Sequence, residues 1–154
     1  SLKTPKNKFK KKFEKEFKIE DNSLKIESIG FNLSKSKNEI NIKIDGINQI
    51  IQIGDGSYVK NNLKNPLPYT KYNNKNIITF GMSEEKLKKI GTSGGWISND
   101  SYQIINYLYE TPTRVVYNFT FKENELQWDT EVKNSLQEYV APQIPLSLKS
   151  IKNE

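Results

Sequence analysis

The sequence predicts an all-β fold of eight or nine antiparallel strands, closed into a barrel or a strongly curved sheet. Apolar and polar residues alternate along several segments joined by short turns, which is the pattern of half-buried strands. The chain is rich in aromatic residues, with 2 Trp, 8 Tyr and 7 Phe, and these favour pleated surfaces. The apolar fraction is 34%, or about 39% with the 8 glycines, below the roughly 45–50% of typical globular chains. This composition fits a sheet with one face exposed to solvent, closed so that its edge strands pair with each other.

The clearest strand signal lies in residues 94–132. Two apolar faces flank a turn at Glu123 and Asn124, and they comprise Val115, Tyr117, Phe119 and Phe121 on one strand and Leu126, Trp128, Thr130 and Val132 on the other. A third run, residues 102–109, ends before Pro112, because proline removes a ladder donor and turns the chain. Three consecutive antiparallel strands are therefore expected after Trp96.

The N-terminal half also reads as strands. Residues 17–20 and 24–33 lie on either side of an Asp-Asn-Ser turn, which is a favoured turn composition. Residues 40–44 alternate isoleucine with polar residues, and an Asp-Gly pair then leads into residues 48–53, which predicts a hairpin.

The remaining segments are less regular. Residues 54–76 lack periodicity and are longer than an ordinary connection. They are therefore interpreted as a functional loop or as a segment that crosses the wall of the barrel. A short strand is predicted at residues 77–80. One or two helical turns are predicted at residues 83–89, where serine precedes acids and lysines follow, the polarity that the helix dipole favours.

The positive charge is confined to the N-terminus. The net charge is +6, and residues 3–18 account for all of it, so the rest of the chain is neutral. Phe9, Phe13 and Phe17 are four residues apart and share one face of a helix. We therefore predict a basic linker with an amphipathic helix over residues 5–17, assigning residues 1–16 to the linker and 17–154 to a single β-barrel domain. Nucleic-acid binding is not expected, since arginine, the best phosphate and guanine ligand, occurs once.

Several kinds of catalytic and metal site are excluded by composition. With 0 Cys and 0 His, disulfides, Cys/His zinc sites and His-based triads are absent, and no cofactor is predicted. No apolar run is long enough to span a membrane. Two S-x-x-K sequences begin at Ser34 and Ser83, but neither is accompanied by S-D-N or K-T-G. The Gly-Asp-Gly-Ser sequence at residues 54–57 lacks the lysine of a phosphate loop and the ligand spacing of a calcium hand, and is interpreted as a turn.

One polar pair stands out at a strand crossing. Glu110 and Arg114 flank Thr111-Pro112-Thr113, and two interpretations are open. Either the pair forms a salt bridge that pins the crossing, or it is a polar anchor in a barrel mouth near aromatic residues. The candidate binding or structural anchors are therefore Trp96, Tyr102, Glu110, Arg114 and Trp128.

Four pieces in order carry a family resemblance. They are Gly95-Trp96 with Asp100, then Tyr107 to Pro112 (Y-L-Y-E-T-P), then Tyr117 to Phe121 (Y-N-F-T-F), and a turn into Leu126. This order resembles the C-terminal domain of bacterial serine hydrolases of the β-lactamase-related, penicillin-binding type. The segment from residue 17 to 26 and Pro-Leu-Pro-Tyr at 66–69 are similar to the opening and middle loop of that domain. The stretch 82–95 is longer than in the family pattern.

The resemblance implies a lipocalin-like β-barrel appended to an exported hydrolase. It transfers no catalytic residue, because the family's S-x-x-K belongs to the catalytic domain. It implies a non-enzymatic accessory domain outside the cytoplasm, exported by a signal outside this fragment, whose partners are the catalytic domain and a cell-wall or peptide substrate. Phe9, Phe13 and Phe17 would then contact that catalytic domain. The alternative is an independent lipocalin-like barrel that binds a small apolar ligand. Large residues pointing inward would leave such a barrel no cavity.

Overall fold

The described chain is all-β, and its strands form two main antiparallel sheets. The computed structural model describes residues 12–63, 70–72, 75–76, 88–108, 113–134 and 144–152. The strands are β1 (Phe13–Lys18), β2 (Ile26–Leu33), β3 (Asn38–Ile44), β4 (Ile47–Gln52), β5 (Val59–Leu63), β6 (Thr70–Tyr72), β7 (Lys75–Asn76), β8 (Lys88–Trp96), β9 (Ser101–Leu108), β10 (Thr113–Lys122), β11 (Glu125–Asn134), β12 (Ile144–Pro145) and β13 (Ser147–Lys149). No helix is present in these ranges.

The first sheet has the order β1-β2-β3-β4 and the second has the order β13-β11-β10-β9-β8-β5. A small third sheet joins β12, β6 and β7. The predicted antiparallel character is thus confirmed. Closure into one barrel is not found among the described strands, because the two main sheets are separate ladders. Isolated bridges connect their borders, Ile19 with Ser150 on one side and Gly54 with Ser93 on the other.

An apolar core lies between the two main sheets. The largest fully buried side chains come from both, and they include Ile29, Ile40 and Ile42 from the first sheet and Trp96, Ile104, Tyr117, Phe119 and Trp128 from the second. Phe31 of β2 packs edge-on against Phe119 and Phe121 of β10, with ring centroids 4.9 and 5.1 Å apart. The sheets therefore face each other across one shared aromatic layer.

The hairpin of β10 and β11 confirms the strongest prediction. Its two-residue turn brings Lys122 opposite Glu125, and Phe119 pairs with Trp128. Glu123 adopts a positive φ of 57°, as tight hairpin turns demand. Another predicted hairpin, β3 and β4, turns at Asp45 and Gly46, whose φ values of 49° and 80° indicate a type I′ turn.

The predicted helix over residues 5–17 is wrong where the structure describes it. Residues 13–18 form β1, which pairs with β2 from Phe13 opposite Leu33 to Lys18 opposite Ser28. A spacing of four residues returns to the same face in a strand as well as in a helix, so the phenylalanine pattern fits both. β1 also runs across the boundary that was predicted at residues 16 and 17. Residues 1–11, with Phe9, lie outside the described residues.

Two predictions in the middle of the chain also need correction. Residues 54–76 were interpreted as aperiodic, yet they contain β5, β6 and β7. The helix predicted at residues 83–89 is replaced at its end by β8, which begins at Lys88, while its other residues and the strand predicted at 77–80 lie outside the described ranges. β5 was missed because its buried positions are Asn61 and Leu63, and a buried asparagine hides the alternation.

A buried polar chain crosses the inner face of the second sheet. Asn61 Nδ2 donates to Thr92 Oγ1 at 3.2 Å, Thr92 Oγ1 donates to Asn106 Oδ1 at 3.0 Å, and Asn106 Nδ2 donates to the Val115 carbonyl at 3.2 Å. Thr92 and Asn106 are fully buried. Buried polar groups are tolerated only when they are bonded in this way, so Thr92 links β5 to β9 and β10.

Replacing Thr92 by valine is expected to lower the free energy of unfolding by about 1–3 kcal/mol, because Asn61 and Asn106 each lose a buried partner. The measurement is urea unfolding followed by tryptophan fluorescence. Thr92→Ser is the matched control, since it keeps the hydroxyl and should retain more stability than valine. Equal losses in both variants would show that the methyl group, rather than the hydrogen bonds, matters at this position.

Candidate functional site

Three of the predicted anchors are core residues. Trp96 and Tyr102 are each 2% exposed and Trp128 is 0% exposed. The rings of Trp96 and Tyr102 meet edge-on with centroids 5.3 Å apart, and Trp128 packs against Tyr117 at 5.1 Å and Phe119 at 5.3 Å. Edge-on aromatic pairs of this kind stabilise a packed interior. These residues have a structural role in the fold.

Arg114 lies on the opposite face of the same sheet. In the β10 register it stands between Tyr107 of β9 and Lys133 of β11, whereas the neighbouring Val115 points into the core. The structure therefore does not bring Arg114 together with Trp96, Tyr102 or Trp128. Glu110 lies outside the described residues, and its salt bridge with Arg114 stays a prediction.

Phe13 and Phe17 find their aromatic neighbours within the chain itself. Phe17 is 5% exposed, and it packs against Phe31 and Phe121 with centroids 6.0 and 5.7 Å apart. Half-buried Phe13 contacts Phe121 at 4.6 Å and Trp96 at 5.4 Å. Both rings therefore belong to the aromatic layer between the two sheets.

The turn after β4 joins the two sheets. Gly54 N–H donates to the Thr92 carbonyl at 3.0 Å, Gly94 N–H donates to the Gly54 carbonyl at 2.9 Å, and Ser93 Oγ donates to that same carbonyl at 3.1 Å. Residues 55–57 form a bend, which agrees with the interpretation of residues 54–57 as a turn. No group of three or more metal-ligating side chains occurs among the described residues.

Two tyrosines near this turn have shifted acidities. Burial raises the pKa of the Tyr102 phenol, and the Asp55 carboxylate raises it further. Burial also raises the pKa of Tyr58, while Arg114 opposes that shift. Neither phenol is poised to ionise near neutral pH, so neither is a candidate general base.

The shift at Tyr102 predicts a loss of stability at high pH. An unfolded tyrosine ionises near pH 10, and the buried phenol keeps its proton above that value. The contribution of Tyr102 is therefore fully present below about pH 10 and decreases as the pH rises toward the folded-state pKa, at up to about 1.4 kcal/mol per pH unit. Urea unfolding from pH 8 to 11 should show a shallower decline for Tyr102→Phe than for the unchanged protein. Parallel declines in the two proteins would contradict the assignment.

An open groove lies on the outer face of the first sheet. It has a volume of about 410 Å³ and is lined by Glu14, Lys15, Glu16, Gly30, Phe31, Asn32, Glu39 and Asn41. Glu16, Gly30 and Asn41 stand in one cross-strand row, and Gly30 leaves the row without a side chain at its centre. Carboxylates and amides in this arrangement can bind amines and hydroxyls by hydrogen bonds. The helical interpretation of residues 5–17 hid this groove, because it did not place Glu14 and Glu16 on one face.

The described S-x-x-K sequence forms a surface turn. Ser34 Oγ donates to the Lys37 carbonyl at 3.1 Å, and Lys37 Nζ forms an ion pair with Glu39 at 3.2 Å. A nucleophilic serine requires a nearby base that accepts its proton, and here the lysine ammonium is engaged by a carboxylate. Ser83 lies outside the described residues.

Comparison with known proteins found no family model, no curated protein and no solved structure that matches the chain. No helix capable of crossing a membrane occurs in the part of the chain that the structure describes.

Proposed function

We propose that this chain is a non-catalytic accessory domain of a bacterial serine hydrolase related to the β-lactamases. In this role it supports or gates the catalytic domain, or contacts a cell-wall or peptide substrate outside the cytoplasm. The proposal rests on the order of residues that resembles the C-terminal domain of those hydrolases. That segment includes consecutive strands, with Trp96 at the end of β8 and Phe119 and Phe121 on β10, and its Glu-Thr-Pro sequence falls between β9 and β10 in the chain.

The filled interior supports the non-catalytic, structural part of the proposal. The residues that would have bordered a ligand cavity, Tyr117, Phe119 and Trp128, are each 0% exposed and pack against one another. Phe121 is half-buried against Phe31. Interior side chains of this size favour a structural module over the alternative, a barrel that binds a small apolar ligand.

The surface groove supports a contact role. It offers three carboxylates and two amides across β1, β2 and β3, and one of the carboxylates, Glu39, also accepts a hydrogen bond from Gln52 Nε2 at 2.8 Å. The engaged Lys37 argues against Ser34 as a nucleophile. Recognition without chemistry is the activity that these groups fit best.

Labelling with a fluorescent penicillin and with a fluorophosphonate tests this proposal. The 154-residue chain should remain unlabelled by both reagents, whereas the full-length protein from its source organism should be labelled at a serine outside these residues. Mass spectrometry identifies the modified residue, and a Ser34→Ala variant is the control. An adduct on Ser34 or on another serine of this chain would overturn the proposal.

A titration with an apolar fluorescent probe distinguishes the alternative function. The filled interior predicts no saturable site, so fluorescence should rise only weakly and without a defined stoichiometry. Saturable binding of one probe per chain would favour the ligand-binding barrel, provided that a larger side chain in the interior abolishes that binding.

A further inference from the structure

β4 is an edge strand with an unusual composition. It lies at the end of the first sheet and pairs with β3 on one side only. Its sequence, Ile-Asn-Gln-Ile-Ile-Gln, contains no charged residue and no proline. Edge strands are normally protected from pairing by charges, prolines or bulges, and β4 has none of these.

The backbone groups of β4 that face outward can be identified from the register. Ile53 N–H donates to the Asn38 carbonyl at 2.9 Å, and hydrogen-bonded pairs alternate along an antiparallel ladder. Ile51, Gln49 and Ile47 therefore bond to β3. Asn48, Ile50 and Gln52 direct their N–H and C=O groups away from it.

One of these three outward positions is already satisfied. Gln52 N–H donates to Asn61 Oδ1 at 2.9 Å, and Asn61 Nδ2 donates to the Gln52 carbonyl at 2.8 Å. The Asn61 amide thus takes the place of a neighbouring strand at Gln52. Among the described residues no backbone hydrogen bond occupies the outward groups of Asn48 or Ile50.

The side chains beside these groups are apolar and exposed. Ile47 is 55% exposed and Ile50 is 54% exposed, although isoleucine is more often buried than any polar residue. The two lie on opposite faces of β4, so a strand added at this edge would cover both. An edge with free backbone groups and exposed isoleucines favours the addition of an extended strand.

We propose that β4 binds β4 of a second copy of this chain, forming a twofold-symmetric dimer with a continuous eight-stranded sheet. In this register Asn48 stands opposite Ile50 of the second copy, and Ile50 opposite its Asn48, so that four backbone hydrogen bonds form. Ile47 lies opposite Ile51 of the second copy. The paired segment cannot extend further in either direction. At one end the Asn61 amide already bonds the backbone groups of Gln52, and at the other end Gly46 lies in the turn.

A second copy fits this edge better than another partner. The outward groups repeat with a spacing of two residues, so the edge is complementary to itself in the antiparallel direction, as a twofold interface requires. With no charge on β4, two copies meet without repulsion and no oppositely charged peptide is selected. The pairing is short, and we expect a weak dimer with a dissociation constant on the order of 100 µM.

Sedimentation equilibrium and amide NMR over a dilution series test the proposal. The protein should dimerise as its concentration rises, and the amide signals of Asn48 and Ile50 should shift with the dimer fraction. Ile50→Lys should raise the dissociation constant by roughly tenfold, since a lysine at an edge opposes pairing. Ile151→Lys is the matched control, because Ile151 is also exposed, at 48%, and lies outside the strands; it should dimerise normally.

Two results would overturn the proposal. A chain that remains monomeric at millimolar concentration has no such interface. A dimer that Ile50→Lys leaves intact, or whose formation shifts amides elsewhere but not those of β4, uses another surface. Both substitutions lie at exposed sites, so the variants should retain the fold, which the dispersion of their NMR spectra reports.

Discussion

Replacing Phe31 by alanine should reduce the free energy of unfolding by about 3–5 kcal/mol, the cost of removing a buried phenylalanine from a packed core. Phe31 is 3% exposed and contacts four other phenylalanine rings, with centroids 4.9–6.0 Å apart. Two of those rings belong to β1 and two belong to β10. The residue thus joins the two sheets, and its loss leaves a cavity between them.

Urea unfolding at neutral pH measures the effect. Small domains have only about 5–15 kcal/mol of stability, so Phe31→Ala should show a much lower unfolding midpoint or fail to fold. Phe31→Leu is the matched control, since it keeps most of the volume and should cost clearly less. A loss below about 0.5 kcal/mol for alanine, which is typical of surface positions, would contradict the shared core.

Gly54→Ala should be the second most damaging substitution. A Cβ at Gly54 would overlap the Ser57 carbonyl group and approach the Val59 side chain at 3.1 Å. Backbone atoms cannot move aside as a flexible side chain can. The turn after β4, which is hydrogen-bonded to β8, would therefore have to shift. We expect a loss of about 3 kcal/mol in unfolding free energy, the upper part of the range for overpacking.

Two other glycines provide controls for Gly54→Ala. Gly30 lies within β2, and an added Cβ there would come no closer than 4.0 Å to Asn41, so Gly30→Ala should be neutral or slightly stabilising. Gly56 has open space but a φ of +72°, so Gly56→Ala should cost only the left-handed strain of about 1–2 kcal/mol. Chemical denaturation of all three variants gives the ranking. If Gly54→Ala were as stable as Gly30→Ala, the close packing of Gly54 against Ser57 and Val59 would be contradicted.

The sequence was most informative where apolar and polar residues alternate without interruption. Along β10 and β11 large side chains occupy every second position, and a two-residue turn sets the pairing of Phe119 with Trp128. The same reasoning predicted β3 from isoleucines two residues apart, and it predicted β4 from the Asp-Gly turn that follows them. In these strands burial on one face and turn chemistry agree, so local sequence determines the structure.

Prediction failed where a pattern fits two structures or where burial is polar. Phe13 and Phe17 fit the faces of a helix and of a strand equally, and tertiary contacts with Phe121 and Trp96 select the strand. β5 is held by the buried amide of Asn61, which no apolar period reveals. Closure of the sheets into a barrel could not be predicted from local sequence patterns either. It depends on whether edge strands distant in sequence, such as those near Ile19 and Ser150, pair along their full length.

The candidate site was predicted even less completely than the fold. Tryptophan and tyrosine were selected for their chemistry, but Trp96, Tyr102 and Trp128 form the core. Whether an aromatic residue binds a ligand or fills an interior depends on the opposing sheet, which the sequence of one strand does not specify. The polar groove on the first sheet combines β1, β2 and β3, and it could be recognised only after β1 was known to be a strand.

The reading frame upstream of Lys3 in the source genome is the decisive test of the accessory-domain proposal. We predict an exported domain of several hundred residues there, with S-x-x-K at the start of a helix and its S-D-N or K-T-G companions. A start codon or a bare signal peptide immediately upstream would contradict the accessory-domain proposal, and the ligand-binding barrel would then become the leading hypothesis.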